Sequence, residues 1–334
     1  MARSPRLELF ALRRRSAAER AADRGFQQLA VALAAAVGLL VFAILLTVFT
    51  GAWEAIQTFG LSFITTSDWD PISEHYGAFT AIYGTLVSSG VALLIAVPLG
   101  VGTAIFLTEN IIPKAIREVL GVMVELLAAI PSVVLGLWAI VVMEPFLRPF
   151  LTDLHRYLGW IPLFSTEPQG PGMAPASLIL VVMILPIITA ISRDALRQVP
   201  DGLRQAAYGI GTTRWGAIFQ VMLPAAISGI TGGVMLALGR AMGETMAVTM
   251  IIGNSNNFSF SLLAPANTIS SMLANQFGEA DGIQVSALMY AALVLILMTL
   301  SLALETLGLD LGMQVMTFCH LIHQQELTEI MLLI

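Results

Sequence analysis

Apolar residues run through this chain in blocks of about twenty, the length that crosses the hydrocarbon core of a bilayer. They fall near 29–50, 81–108, 118–143, 176–192, 225–252 and 285–303. None alternates with period two, so the blocks read as helices and not as barrel strands. In lipid the backbone must satisfy its own hydrogen bonds, which helices do within one segment. The expected fold class is therefore an all-α polytopic membrane protein with about six transmembrane helices. The first block exceeds the 7–15 apolar residues typical of a signal peptide and has no persuasive cleavage site after it, so it is expected to stay as a span. Pro98 and Pro131 lie inside blocks two and three and are expected to be ordinary membrane prolines rather than hinges.

Charge patterning orients the helices. Arg3, Arg6, Arg13, Arg14, Arg15, Arg20 and Arg24 precede the first block. With that segment inside, Lys114, Arg117, Arg193, Arg197, Arg204 and Arg214 also fall inside, and only Arg148 and Arg156 fall in outside loops. The positive-inside rule thus puts the N-terminus in the cytoplasm. The outside segments, 51–80, 145–175 and 253–284, are rich in aromatic residues, Pro and Asn. Trp53, Trp69, Tyr76, Tyr157 and Trp160 are expected near the membrane interface, and 145–175 is apolar enough to lie along it as short helices.

The composition excludes several classes. At 57% hydrophobic, 11% charged and a mean hydropathy of +0.84, this is no soluble globule. A net charge of −6 gives no reason to expect a nucleic-acid partner. One cysteine, Cys319, rules out an internal disulfide, and His320 with His323 is too little for a metal site. Lys114, the only lysine, lies in no GxxxxGK phosphate loop, and neither HExxH nor GxSxG occurs. No enzymatic activity, metal or cofactor is expected of this chain, so any ATP must be bound by a partner.

Between blocks four and five lies a polar connector, 193–224. Asp201 could cap a helix starting at Gly202 or Leu203. Gly209 and Gly211 would end that helix, and a second helical stretch would stop at Pro224. Helix, glycine turn, helix makes a compact cytoplasmic knob shaped for a partner's groove. Its residues resemble the Glu-Ala-Ala motif of ABC importer permeases, with Gln205, Ala206, Ala207, then Gly211, then Val221, Leu223 and Pro224 at the family spacing. Gln205 stands where the motif has Glu, which removes a charge that would face the ATPase.

Block five carries ions. Arg240 and Glu244 are four residues apart and share a helix face, at a depth where each lone charge costs roughly 2.5–3.5 kcal/mol. Gly229, Gly233, Ala237 and Ala241 form a small-residue ridge beside them that invites close helix packing. The pair is expected to face protein or a water-filled path, as an anion-contact site or gate or as a structural ion pair. Glu125 is a third candidate for the same path.

The segments 82–109, 124–138, 207–215, 232–254 and 264–280 resemble the PstC-type permeases of phosphate-specific ABC importers, over about residues 68–303. That resemblance implies a type I ABC importer permease fold in a bacterial plasma (inner) membrane, with Arg240 and Glu244 on the phosphate path. It also implies a second permease subunit of related fold, a cytoplasmic ATPase dimer, a periplasmic phosphate-binding protein and inorganic phosphate as cargo. Sulfate or molybdate are the alternative cargoes, and a gradient-driven transporter is the alternative from another class. The resemblance stops before the C-terminus, where 308–334 lacks Lys and Arg. The expected organisation is a basic segment over 1–28, a permease domain over 29–307 with its coupling loop at 193–224, and a divergent tail over 308–334.

Overall fold

A computed structural model describes residues 17–109 and 113–304, with side chains from residue 23 onward. Most of the N-terminal arginines, Cys319, His320, His323 and the 308–334 tail lie outside the described residues. Residues 1–50 and 51–334 form two units. Helix α1 (Ala17–Phe59) begins in the first, where it exposes apolar side chains such as Leu33, Val37, Leu40 and Ile44, as a lipid-facing span does.

The second unit is built around helix α7 (Met173–Gln198), the most buried of the apolar helices. Helix α3 (Phe79–Thr108) lays Ala92, Ala96 and Gly100 against it, so close that a Cβ on Gly100 would press on Ile188. Helix α10 (Leu223–Met242) does the same from another side, with Gly229 against Ala195 and Gly233 against Ile191. Two small-residue faces on one central helix gain dispersion contact without any help from water, which is how helices associate in lipid. The expected ridge on block five therefore exists, and its partner is α7. Pro98 leaves α3 continuous, as expected.

Block three differs from the expectation of a single helix. It divides into α4 (Lys114–Ala128) and α5 (Ser132–Trp138), with the break at 129–131. Pro131 disfavours helical geometry at Ile130 and becomes the N-cap of α5, so it is a helix boundary and not a tolerated interior proline. Helix α5 continues through a π turn (Ala139–Met143) into α6 (Glu144–Leu158), and Ser132–Leu158 is the stretch long and apolar enough to cross a membrane. The remaining spanning helices are Phe79–Thr108, Met173–Gln198, Arg214–Met242 and Gly282–Leu304, the last labelled α13.

The connector folds as α8 (Asp201–Gly209) and α9 (Arg214–Ala217), followed by a π turn (Ile218–Met222) that leads into α10. Pro224 was expected to stop the second helix, yet the helix runs from Arg214 to Met242. A proline ring clashes with the carbonyl four residues back in an α-helix. The wider π turn ending two residues earlier relieves that clash, and the same device precedes Pro145.

At the end opposite the knob, a short helix α2 (Ser62–Thr65) and a two-residue hairpin, β1 (Trp69–Asp70) with β2 (His75–Tyr76), close over a second apolar cluster. Phe63 stacks on Tyr290 at 4.4 Å, and the Trp69 indole N–H donates to Gln276 Oε1 at 2.7 Å. Trp69 and Tyr76 are thus buried core residues rather than interface anchors, whereas Trp53, Tyr157 and Trp160 are exposed. Segment 253–284, expected as an outside loop, lies at this same end and packs against the start of α3. Its helix α12 (Ile269–Gln276) starts where Thr85, in the second turn of α3, accepts the Ile269 N–H at 3.0 Å.

Candidate translocation site

Arg240 and Glu244 do not sit on one continuous helix, nor in the middle of a span: Arg240 is in the last turn of the spanning stretch Arg214–Met242 and Glu244 lies beyond its end. Helix α10 ends at Met242 and a new helix, α11 (Met246–Ile251), starts after a break at 243–245. Gly239 and Gly243 weaken the helix there, and hydroxyls take over the freed carbonyls. Ser270 Oγ donates to the Met242 carbonyl at 3.0 Å, and Thr245 Oγ1 to that of Gly243 at 3.2 Å. A break in a membrane protein's helix is tolerated when protein groups satisfy its backbone in this way.

The break separates the charges by helix end. Arg240 lies in the last turn of α10, where the helix dipole favours a cation. Glu244 lies just before α11, and its Oε1 accepts the Ala247 N–H at 3.4 Å. The ions themselves are 3.9 Å apart, Arg240 Nη2 to Glu244 Oε2, with Arg240 48% exposed and Glu244 8% exposed. Glu244 is therefore held by its own helix start, while Arg240 is loosely paired and free to lean outward. Arg240 shares its exposed face with Gly232, Leu236, Gly239 and Gly243, so its surroundings on that side are small and open. A loosely countered guanidinium can exchange its carboxylate for a passing anion.

Glu125 is not part of this group. It faces Arg193 across a 3.3 Å contact at the knob end. There Leu107, Lys114, Arg117, Gly121 and Arg197 line a cavity of about 320 Å³ with the two of them.

The knob residues fall together. Pro200, not Asp201, is the N-cap of α8; Asp201 occupies the first turn without a capping bond, where its charge still favours the helix start. Gln205 and Ala206 are exposed, and Ala207 is buried. The Ala207 carbonyl accepts both the Thr212 N–H (3.2 Å) and the Thr212 hydroxyl (2.7 Å), which folds the turn back on the helix. Gly209 is the last residue of α8, and Gly211 has φ +83°, a left-handed value that glycine adopts without strain. Leu203, Tyr208, Ile210, Trp215 and Phe219 make the knob's exposed surface apolar. Leu223 packs on the apolar cluster at this end and Pro224 is exposed.

Residues 96–308 match the family described as binding-protein-dependent transport system inner membrane component. The chain belongs to that family. It is similar to proteins named phosphate transport system permease protein PstC. The one from Mesorhizobium japonicum is 46% identical over 283 residues, 83% of this chain and 86% of that protein. The one from Pasteurella multocida is 44% identical over 279 residues, covering 82% and 87%. Among solved structures, a bacterial alginate ABC transporter in complex with an alginate pentasaccharide-bound periplasmic protein aligns at TM-score 0.58 and 17% identity, over 86% of this chain and 94% of that one. An inward-facing MetNI methionine ABC transporter aligns at TM-score 0.50 and 20% identity, over 71% and 94%. At those identities the structures speak to fold alone, and the fold is that of type I ABC importer permeases.

As a multi-pass inner membrane permease, the chain contains two features that its sequence did not announce. The first is a buried polar seam, Thr85, Ser88 and Ser89 of α3 against Asn267, Thr268, Ser270 and Ser271. Thr268 and Ser271 form a capping box, a spacing readable in the sequence, though nothing there shows that it packs inside the bundle. The second is an ion pair between Arg204 in the knob and Glu109 at the end of α3. No sequence spacing links two residues so far apart.

Proposed function

We propose that this permease is a transmembrane subunit of an ATP-driven phosphate importer, with Arg240 as the anion contact at the α10–α11 break. The similarity to phosphate permeases at 46% identity over most of both chains supports the cargo. Arg240, loosely paired and flanked by glycines, supports the residue. The open face of α10 meets a second permease subunit of related fold, and the anion passes between the two. The N-terminus and the knob are cytoplasmic, and the knob's apolar surface docks in an ATPase dimer that binds the ATP. A periplasmic phosphate-binding protein delivers the anion to the opposite end. ATP binding closes the dimer, the knob moves with it, and the spans open outward to accept phosphate. Arg240 then lowers the cost of an anion crossing a medium of low dielectric.

The test is ATP hydrolysis by the complex reconstituted in liposomes, with phosphate-loaded binding protein outside. Stimulation by phosphate, with matching uptake, supports the reading. Stimulation by sulfate or molybdate in place of phosphate moves the cargo to another oxyanion. Anion flux with no ATPase present refutes the importer.

A further inference from the structure

We infer that α3 is a second rod, beside the continuous helix Arg214–Met242, that carries motion from the knob to the ion break, with the Arg204–Glu109 pair as its joint at one end. Arg204 Nη2 lies 2.9 Å from Glu109 Oε1, with Glu109 5% exposed and Arg204 27% exposed. The position is unfavourable for a carboxylate on two counts. It is buried, and it follows the C-terminus of α3, where the helix dipole already presents negative charge. The guanidinium from α8 is its direct ion partner among the described residues, and Arg117 caps the neighbouring Thr108 carbonyl at 3.4 Å. Buried pairs of this kind add little net stability over apolar packing, so the pair is better explained by what it joins. Among the described residues it is the polar tie between α8 and α3, and a single-point contact leaves the two helices free to pivot about it.

The other end of α3 reaches the break through hydrogen bonds. Thr85, about 36 Å along the helix from Glu109 at ~1.5 Å per residue, accepts the Ile269 N–H at 3.0 Å. The next residue, Ser270, donates to the Met242 carbonyl, the last of α10 before the break. Rigid helix, hydrogen bond and carbonyl thus form one contiguous path from Arg204 to the backbone beside Arg240 and Glu244. Arg204 and Glu109 are positioning residues in this scheme, as is Thr85. The inference rests on reading the knob as the ATPase dock.

The experiment compares the full complex carrying Glu109→Gln with Arg204→Gln, a neutral pair that leaves no buried charge unpaired, and the complex carrying Thr85→Val. Co-purification measures assembly, and the readout is phosphate moved per ATP hydrolysed, which does not depend on how much complex forms. Each variant is expected to lower that ratio by about tenfold, the size of a typical coupling between sites. All three substitutions together should do no worse than the more damaging of the two, since they cut one path. Arg204→Lys, which keeps the charge, and Thr85→Ser, which keeps the hydroxyl, should retain most of the ratio. A wild-type ratio in the neutral-pair or Thr85→Val complex, or losses that multiply when combined, overturns the rod. If the wild-type complex itself moves no phosphate, the function reading fails instead.

Discussion

Replacing Arg240 by Gln removes one charge from a pair whose members are unequally buried. At 3.9 Å and an effective dielectric near 20, two unit charges attract by about 4 kcal/mol. Half of the Arg240 side chain is exposed, so water screens most of that, and the pair's net contribution falls to about 1 kcal/mol. Glu244 keeps the Ala247 N–H when Arg240 is gone. Assembly should therefore survive, with little change in thermal midpoint. On the proposed path the effect on transport is larger, because water would be displaced where the anion meets Arg240 between two subunits. Even a third of the 4 kcal/mol, about 1.4 kcal/mol, is a factor of ten in rate. A doubly charged anion approaches a hundredfold.

The assay is uptake of radiolabelled phosphate into proteoliposomes holding the complete importer, at equal amounts of assembled complex. Arg240→Gln should cut the maximal rate by about ten- to a hundredfold, and it should not lower the phosphate concentration for half-maximal uptake. Glu244→Gln gives the contrasting result. It keeps an acceptor for the Ala247 N–H but frees Arg240 of its competitor, so the anion binds more tightly and leaves more slowly. Both the maximal rate and the half-saturating concentration should fall. Wild-type uptake by a well-assembled Arg240→Gln complex would refute the argument from charge, whatever Glu244→Gln does.

Three further perturbations follow from the geometry. Gly211→Ala places a side chain on a left-handed residue and should cost roughly 1–2 kcal/mol at the knob's turn. Since no atom crowds that position, a fall in phosphate-stimulated ATP hydrolysis without loss of the spans is expected, and Gly211→Asn should be milder. Gly84→Ala would drive a methyl into the Asn267 carbonyl oxygen, backbone against backbone, and should destabilise the seam by about 3 kcal/mol, seen as a lower thermal midpoint and poor assembly. Asp70, exposed in the hairpin, accepts the Ser73 hydroxyl and the Ile72 N–H, which hold its carboxyl below the usual range. A lowered carboxyl contributes stability that is complete above its unfolded value and is lost as pH falls toward the folded one. The protection of the Ile72 amide, its exchange relative to a free peptide at the same pH, should therefore fall only below about pH 4, and Asp70→Asn should remove that dependence.

How much of this was legible depended on the range of the interaction. Apolar blocks of membrane length located the helices because burial in lipid is a local requirement, met residue by residue. The glycine ridge at 229–241 was readable for the same reason, since small residues every four positions mark a close-packed face. The breaks were harder. Pro131 and Pro98 look alike in sequence, and both follow an apolar residue. One ends a helix and the other does not, because tertiary neighbours decide whether the freed carbonyls find partners. Pro224 misled in the opposite direction, since a π turn lets the helix pass it.

The break at 243–245 shows why the site was only half visible. Spacing alone put Arg240 and Glu244 on one face of one helix, which is the arrangement of a structural ion pair. One of the hydroxyls that permit the interruption, that of Ser270, arrives from a segment that reads as an outside loop. Its arrival changes what the pair is. Two charges on a continuous helix share one rigid frame and can separate only by rotating side chains. Two charges on either side of a break ride on different helices, so a small change in the angle between α10 and α11 changes their distance. At 3.9 Å the pair is already at the limit of contact, and a modest opening would release Arg240 to an incoming anion. The proposed gate needs that sensitivity, and it comes from a backbone carbonyl satisfied by a residue 28 positions away, which no local pattern encodes.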